Sequence, residues 1–162
     1  MELNKLKTST YIDKKIKQYF KDNLSQYVEG DDAWGINWNP NIAFKRPDDL
    51  YWLDFFFNPS EPAQIELGTK GRNRWVGFMQ INICVPLNEA TIEEAEADSD
   101  DDTFGTSAMD TCYNDIARVF KRGVIFNGIR INKTYSIPSA MQVLDDFCSL
   151  PVRIEWQADL SN

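Results

Sequence analysis

Histidine is absent from the 162 residues. With it go the Ser-His-Asp and Cys-His routes to an activated nucleophile, imidazole acid–base catalysis and every zinc site built on imidazole. An enzyme made from this chain would have to work with carboxylates, lysine, tyrosine or an oxygen-bound metal. Cysteine is scarce: Cys84, Cys112 and Cys148 are odd in number and far apart. That spacing argues against a disulfide framework and against a Cys-x-x-Cys metal knuckle, and leaves three small buried apolar side chains as the plain reading. Long apolar runs are missing too, none approaching the roughly 18 residues that span a bilayer. The opening MELNKLKTSTYIDKKIKQYF has no apolar stretch of the secretory kind, so the chain is expected to stay in the cytoplasm.

What remains is an ordinary globular composition. A chain of this length buries ~70% of its unfolded surface without a covalent staple, and residues 1–162 read as one domain. The net charge of −8 is local. Glu93 to Asp102, EEAEADSDDD, holds seven acidic residues, and without them 18 acidic residues face 17 basic ones. The body is neither a polyanion nor a basic nucleic-acid binder.

Periodicity divides the chain. Ile12, Ile16, Tyr19, Phe20, Leu24 and Tyr27 repeat at helical spacing and predict a helix from about Thr10 to Tyr27, with Thr10 and Asp13 as a capping box. Its lysines form a solvated face. Trp34, Trp38 and Phe44 anchor an irregular stretch after it. Leu50–Asn58, LYWLDFFFN, alternates as a strand with two apolar faces, Tyr51, Leu53, Phe55 and Phe57 on one, Leu50, Trp52 and Phe56 on the other. A short strand at Gln64–Leu67, a loop at Gly68–Asn73 and a long strand at Arg74–Val85 follow, the last ended by Pro86. An acidic insertion, expected to be exposed and mobile, occupies about 88–103. A second helix spans about Thr106–Lys121 on the stripe Met109, Cys112, Ile116 and Phe120, and stops at Gly123. Asn127-Gly128 marks a tight hairpin, residues 135–150 read as a variable loop, and Val152–Ala158 is a closing strand. The order predicts an α+β fold: one antiparallel or mixed sheet with two helices packed on one face.

No motif carries chemistry outright. The stretch Gly68–Arg74, GTKGRNR, is cationic through Lys70, Arg72 and Arg74, with Arg46 upstream. It has two residues between its glycines where a phosphate-binding P-loop has four, and it opens a strand rather than a helix. Asp98, Asp100, Asp101 and Asp102 could hold a divalent ion loosely, but the run lacks the glycine and glutamate of an EF-hand loop. Asp49, Asp54, Glu66 and Lys70 can be drawn as a metal-dependent nuclease centre, although Gly68 interrupts the strand face that two of them would share. No cofactor is implied. The unusual features are surplus apolar surface (Trp52 and Phe56), a cationic loop and an acidic arm elsewhere. Complementary charges at different places on one subunit favour head-to-tail association.

Trp38 and Asn39 stand ahead of Phe44, and after them come the Glu61-Pro62 turn, Leu67-Gly68 with Gly71, Arg72, Arg74 and Gly77, a long strand ending at Pro86, Phe120-Lys121-Arg122-Gly123, and the late aromatic Trp156. In this order and spacing the chain resembles the lambda-type tail terminator (tail completion) proteins of long-tailed bacteriophages. The acidic insertion and the 135–150 loop depart from that pattern. The resemblance implies a non-enzymatic virion protein, assembled in the host cytoplasm and sited at the head-proximal end of the tail. It implies a homo-hexameric ring that caps the tail tube, stops its polymerisation and offers a surface to the neck of the head. Its partners would be itself, the major tail-tube protein and a head-completion protein, with DNA passing through the lumen and no membrane involved. Lys70, Arg72, Arg74, Phe56 and Trp52 are then candidates for subunit or tube contacts. Arginine suits bidentate carboxylate pairing, which favours a protein contact over a lumenal one. A head–neck connector or tube protein of related fold, and the small nuclease, are the alternatives.

Because a polar arm contributes little burial, deleting residues 93–102 is expected to leave the thermal unfolding midpoint within a few degrees of the parent chain. Loss of soluble folded protein would contradict the reading of these residues as an insertion.

Overall fold

The structure, a computed structural model, describes residues 2–40, 51–64, 71–87, 106–144 and 146–161. Expectations placed on Phe44, Arg46, Asp49, Leu50, Glu66, Leu67, Gly68, Lys70 and the aspartates Asp98, Asp100, Asp101 and Asp102 lie outside these residues. Helix α1 is Glu2–Asn23. It begins before Thr10, so the capping box does not form, and the Asp13 carboxylate instead meets Lys17 Nζ one turn on at 2.9 Å. Residues 2–9 have no glycine or proline and several good helix formers, so a polar stretch without an apolar stripe still continues the helix upstream. The helix ends sooner than its stripe suggests: Tyr27 belongs to a 3-10 turn, Ser25–Tyr27. Helix α2 is Thr106–Val119, and Gly123 lies beyond it at φ +88°.

The two helices pack on one face of a mixed, curled sheet. Its strands are β1 (Gly35–Asn37), β2 (Trp52–Pro59), β3 (Ala63–Gln64), β4 (Arg72–Pro86), β5 (Ile125–Phe126), β6 (Ile129–Ser136), β7 (Gln142–Val143) and β8 (Phe147–Ser161). The order is β1-β2-β4-β8-β6-β5, with β3 continuing β2 along β4 and β7 continuing β6 along β8. Among the described strands only β1 and β2 run parallel. At the centre β4 and β8 pair antiparallel over their whole length, from Arg72↔Ser161 to Pro86↔Phe147. Fifteen residues at ~3.4 Å each make this ladder about 50 Å long.

Alternation along the ladder sorts the faces. Leu53 and Phe55 of β2, Met79, Ile81, Ile83 and Val85 of β4, and Leu150, Val152, Ile154 and Trp156 of β8 all point to the helices and are buried. Ile12, Ile16 and Phe20 of α1 with Leu24 just after it, and Met109, Cys112 and Ile116 of α2 with Phe120 just after it, close over them. Each such side chain stabilises by about 2 kcal/mol relative to exposure. Phe20 meets Phe55 edge-on at 5.1 Å. The Tyr27 hydroxyl donates to Asp115 Oδ2 at 2.6 Å and so ties the turn after α1 to α2. No described helix is long and apolar enough to cross a membrane.

The Asn127-Gly128 turn appears as predicted, with φ +47° and +78°, the left-handed pair that matches hairpin twist. Residues 135–150 differ from the expected loop: β6 continues to Ser136, β7 pairs with Cys148 and Ser149, and β8 begins at Phe147. Pro151 hides this in the sequence, since proline argues against a strand interior. Here its carbonyl takes the Ile137 N–H at 2.8 Å. The strand tolerates the missing donor.

Gly77 is fixed by close approach. A Cβ there would lie 2.5 Å from the Asn58 carbonyl oxygen and 2.8 Å from the Trp156 ring. Gly77 is Trp156's partner across the ladder, and the space it leaves admits the stacked rings of Trp156 and Phe57, 5.4 Å apart. Gly77→Ala should therefore lower stability by about 2 kcal/mol in urea unfolding, the cost of overpacking a tight site. An unchanged midpoint would mean the strands shift freely there.

Candidate interface on the helix-free face of the sheet

Among the described residues, no helix lies on the opposite face of the sheet. Even-numbered residues of β2 and β4 and odd-numbered residues of β8 point to it, together with Arg130 and, beyond a bulge between Ile131 and Lys133, Lys133 and Tyr135 of β6. Three zones follow one another along the strands.

Near the β4 C-terminus the face is apolar and closed. Trp52 packs on Phe147 with ring centres 5.0 Å apart and is only 3% exposed. Trp52 was a sequence candidate for a subunit contact, and its burial removes it from the available surface. Cys84 lies beside it, 3.6 Å from Ser149 Oγ and 3.7 Å from Asp54 Oδ2. Burial pushes the thiol up to about 12, outweighing the opposing pull of the Ser149 hydroxyl, and the Asp54 charge adds a lesser push upward. It stays protonated and inert. All three cysteines are free and buried.

The middle zone is a polar mesh. Asn37 Nδ2 donates to Asp54 Oδ1 at 2.9 Å, and Gln80 Nε2 to Asn82 Oδ1 at 3.0 Å. Arg153 donates from Nε to Gln80 Oε1 at 3.3 Å, and its guanidinium lies 4.6 Å over the Phe78 ring. Tyr135 donates to Glu155 Oε1 at 2.9 Å, under Lys133 Nζ. Phe56 and Val76 interrupt the mesh, 37% and 39% exposed, on either side of half-buried Phe78.

The far end is cationic. Arg72 and Arg74 of β4 and Arg130 of β6 share it with Asp159 of β8. Arg74 donates from Nε and Nη2 to both Asp159 oxygens, at 2.8 and 2.9 Å. These bonds, with the charges of Arg74 and Arg72, hold the Asp159 carboxyl below its usual range. The bidentate pairing expected of Arg74 exists, but within the chain. Arg72 and Arg130 stand exposed.

Of the five sequence candidates, Arg72, Arg74 and Phe56 thus share this face and Trp52 is buried on it; Lys70 is outside the described residues. The nuclease quartet is represented only by Asp54, held by Asn37. Among the described residues no three metal-ligating side chains converge. Sequence reading missed Arg130, Lys133, Tyr135, Arg153 and Glu155. The polar half of the β8 alternation was the available signal for the last two. Nothing local marks the others, whose places depend on the Asn-Gly turn and the bulge that follows it.

Fold and face together define a single-domain α+β protein in which the described helices cover one face of the sheet. No protein-family description matches the chain, and no curated protein does so. Among solved structures, a chain named only by a sequence number matches with a TM-score of 0.60 at 14% identity, covering 90% of this chain and 94% of its own. At that identity the likeness is one of fold alone.

Since burial and not a base governs Cys84, the native protein should show no fast thiol reaction with an aromatic disulfide reagent at pH 8, and three thiols once denatured. A fast native thiol would show that the Trp52 end of the face opens.

Proposed function

We propose that the protein is a ring-forming terminator of a bacteriophage tail tube, acting by geometry and without catalysis. The observation that carries this reading is the open sheet face, on which Phe56, Val76 and Phe78 sit within a polar rim. Apolar groups grouped on a face that no described helix covers are what a subunit contact requires. The order of residues that resembles the tail terminators gives the contact its context. Gly77 and Trp156, far apart in that order, are ladder partners in the fold, and Gly123 takes a left-handed turn four residues after α2. Three of the positions that carry the resemblance are thus ones that the architecture uses.

In this reading six copies close a ring through a heterologous contact, one patch of each subunit meeting a different patch of the next. The ring seats on the last turn of tube subunits, removes the surface on which the next turn would add, and presents a new one to the neck. DNA passes through the lumen without sequence-specific contacts.

Light scattering on the purified chain should give six times the subunit mass. Added in small amounts to polymerising tail-tube protein, it should halt growth, and Phe56→Glu should weaken both effects at least tenfold. A strict monomer at every concentration, or tubes that lengthen unchecked, would contradict the proposal.

A further inference from the structure

Seven large hydrophobic side chains stand exposed among the described residues, and six of them fall into two groups. Phe56, Val76 and Ile125 make the first. Val76, Gln157, Arg130 and Ile125 lie abreast across β4, β8, β6 and β5, so Ile125 extends the strip of Phe56, Phe78 and Val76 to the edge of the sheet. Met141, Val143 and Leu144 make the second, within four residues of the β7–β8 hairpin. The Leu144 N–H donates to the Phe147 carbonyl at 2.8 Å and closes the tip of that hairpin. Strand alternation turns Val143 and Leu144 to opposite sides. A tip that is apolar on both sides suits insertion against another surface better than exposure to water.

The two groups do not meet within one subunit. Leu144 stands level with Phe147, and Phe56, across Gln80, stands level with Arg153. Six residues of β8 separate those levels, about 20 Å of strand. Ile125 is farther still, level with Gln157. Each of these residues is held by backbone hydrogen bonds, so the separation is built into the sheet. Charge follows the same division. Arg130 lies beside Ile125, with Arg72 and Arg153 on the same face. At the hairpin's end of the sheet Asp146 is exposed, and so are Asp31 and Asp32 in the turn before β1, whose Gly35 is level with Gln142 across β2, β4 and β8. An apolar tip at an acidic end and an apolar strip in a basic surround, at different places on one chain, are the two halves of a heterologous contact.

We infer that the β7–β8 hairpin tip of one copy, residues 141–144, docks on the strip of Phe56, Val76 and Ile125 of a second copy. This rests on the ring reading and names the two unlike patches that its contact joins. The strip buries the apolar side chains of the tip. Arg153, stacked on Phe78, and Arg130, beside Ile125, supply the polar margin. The acidic end of the hairpin sets the direction in which one copy follows the next.

The test pairs two full-length variants. One loses its tip through Met141→Ser, Val143→Ser and Leu144→Ser. The other loses its strip through Phe56→Glu and Ile125→Glu. By light scattering each alone should associate about tenfold more weakly than the parent chain, since truncating the apolar centre of a contact removes most of its affinity. Mixed, the first still offers a strip and the second a tip, and they should form a 1:1 complex and nothing larger. Adding Arg130→Glu to the chain that keeps its strip should weaken that complex about tenfold. Tyr11→Glu, at the exposed hydrophobic residue that belongs to neither group, should leave parent association within about twofold. Should Phe56→Glu unfold the chain, Ile125→Glu alone serves as the strip variant, its position being 67% exposed. Parent-like hexamers from the tip variant, or no complex from the folded variants while the parent still forms hexamers, would overturn the inference and leave the ring reading in place. A 1:1 complex from variants of a parent chain that caps no tube would keep this contact and remove the terminator reading instead.

Discussion

The ladder between β4 and β8 is the constraint on which the molecule depends. It pairs two fifteen-residue strands that lie far apart in the sequence, and its register settles everything at their sides. A slip of one residue would turn Met79, Ile81, Ile83, Val152, Ile154 and Trp156 to water and bring Arg74, Asn82, Arg153 and Glu155 under the helices. The apolar stripes of α1 and α2 would then have nothing to cover. Gly77 enforces that register sterically, since only that position leaves room for the Trp156 and Phe57 rings.

The same alternation that builds the core leaves the other face to its own devices. That face is neither bare nor wholly solvated: one end is closed by Trp52 and Phe147, the middle is laced by side-chain hydrogen bonds, and the far end carries arginines. A surface of this kind, with apolar groups inside a satisfied polar rim, suits contact with another protein better than chemistry on a small molecule. Its most reactive-looking group, the Cys84–Ser149–Asp54 cluster, is held inert by burial.

Much of this was legible in the residues alone. Period-two runs gave β2, β4 and β8, four-residue spacing gave the buried faces of both helices, and Asn127-Gly128 gave the hairpin. The boundaries were less so. The polar start of α1 has propensity without pattern, and Pro151 disguises the first part of β8. The face was legible only as a surplus of apolar side chains. That Trp52 would be buried while Phe56, on the same face, would not depends on Phe147, nearly a hundred residues away. That Arg74 would spend its fork on Asp159 depends on the β4–β8 register, which no local pattern encodes.

The central claim is that the helix-free face is where copies meet. Replacing Phe56 by a photo-crosslinking phenylalanine derivative and irradiating the assembled protein tests this most directly. The account predicts covalent dimers and higher multimers joined through position 56, and none when the same group stands at Gln26, exposed on the helical side. Multimers from position 26 with none from position 56 would place the contact on the helices and contradict the account.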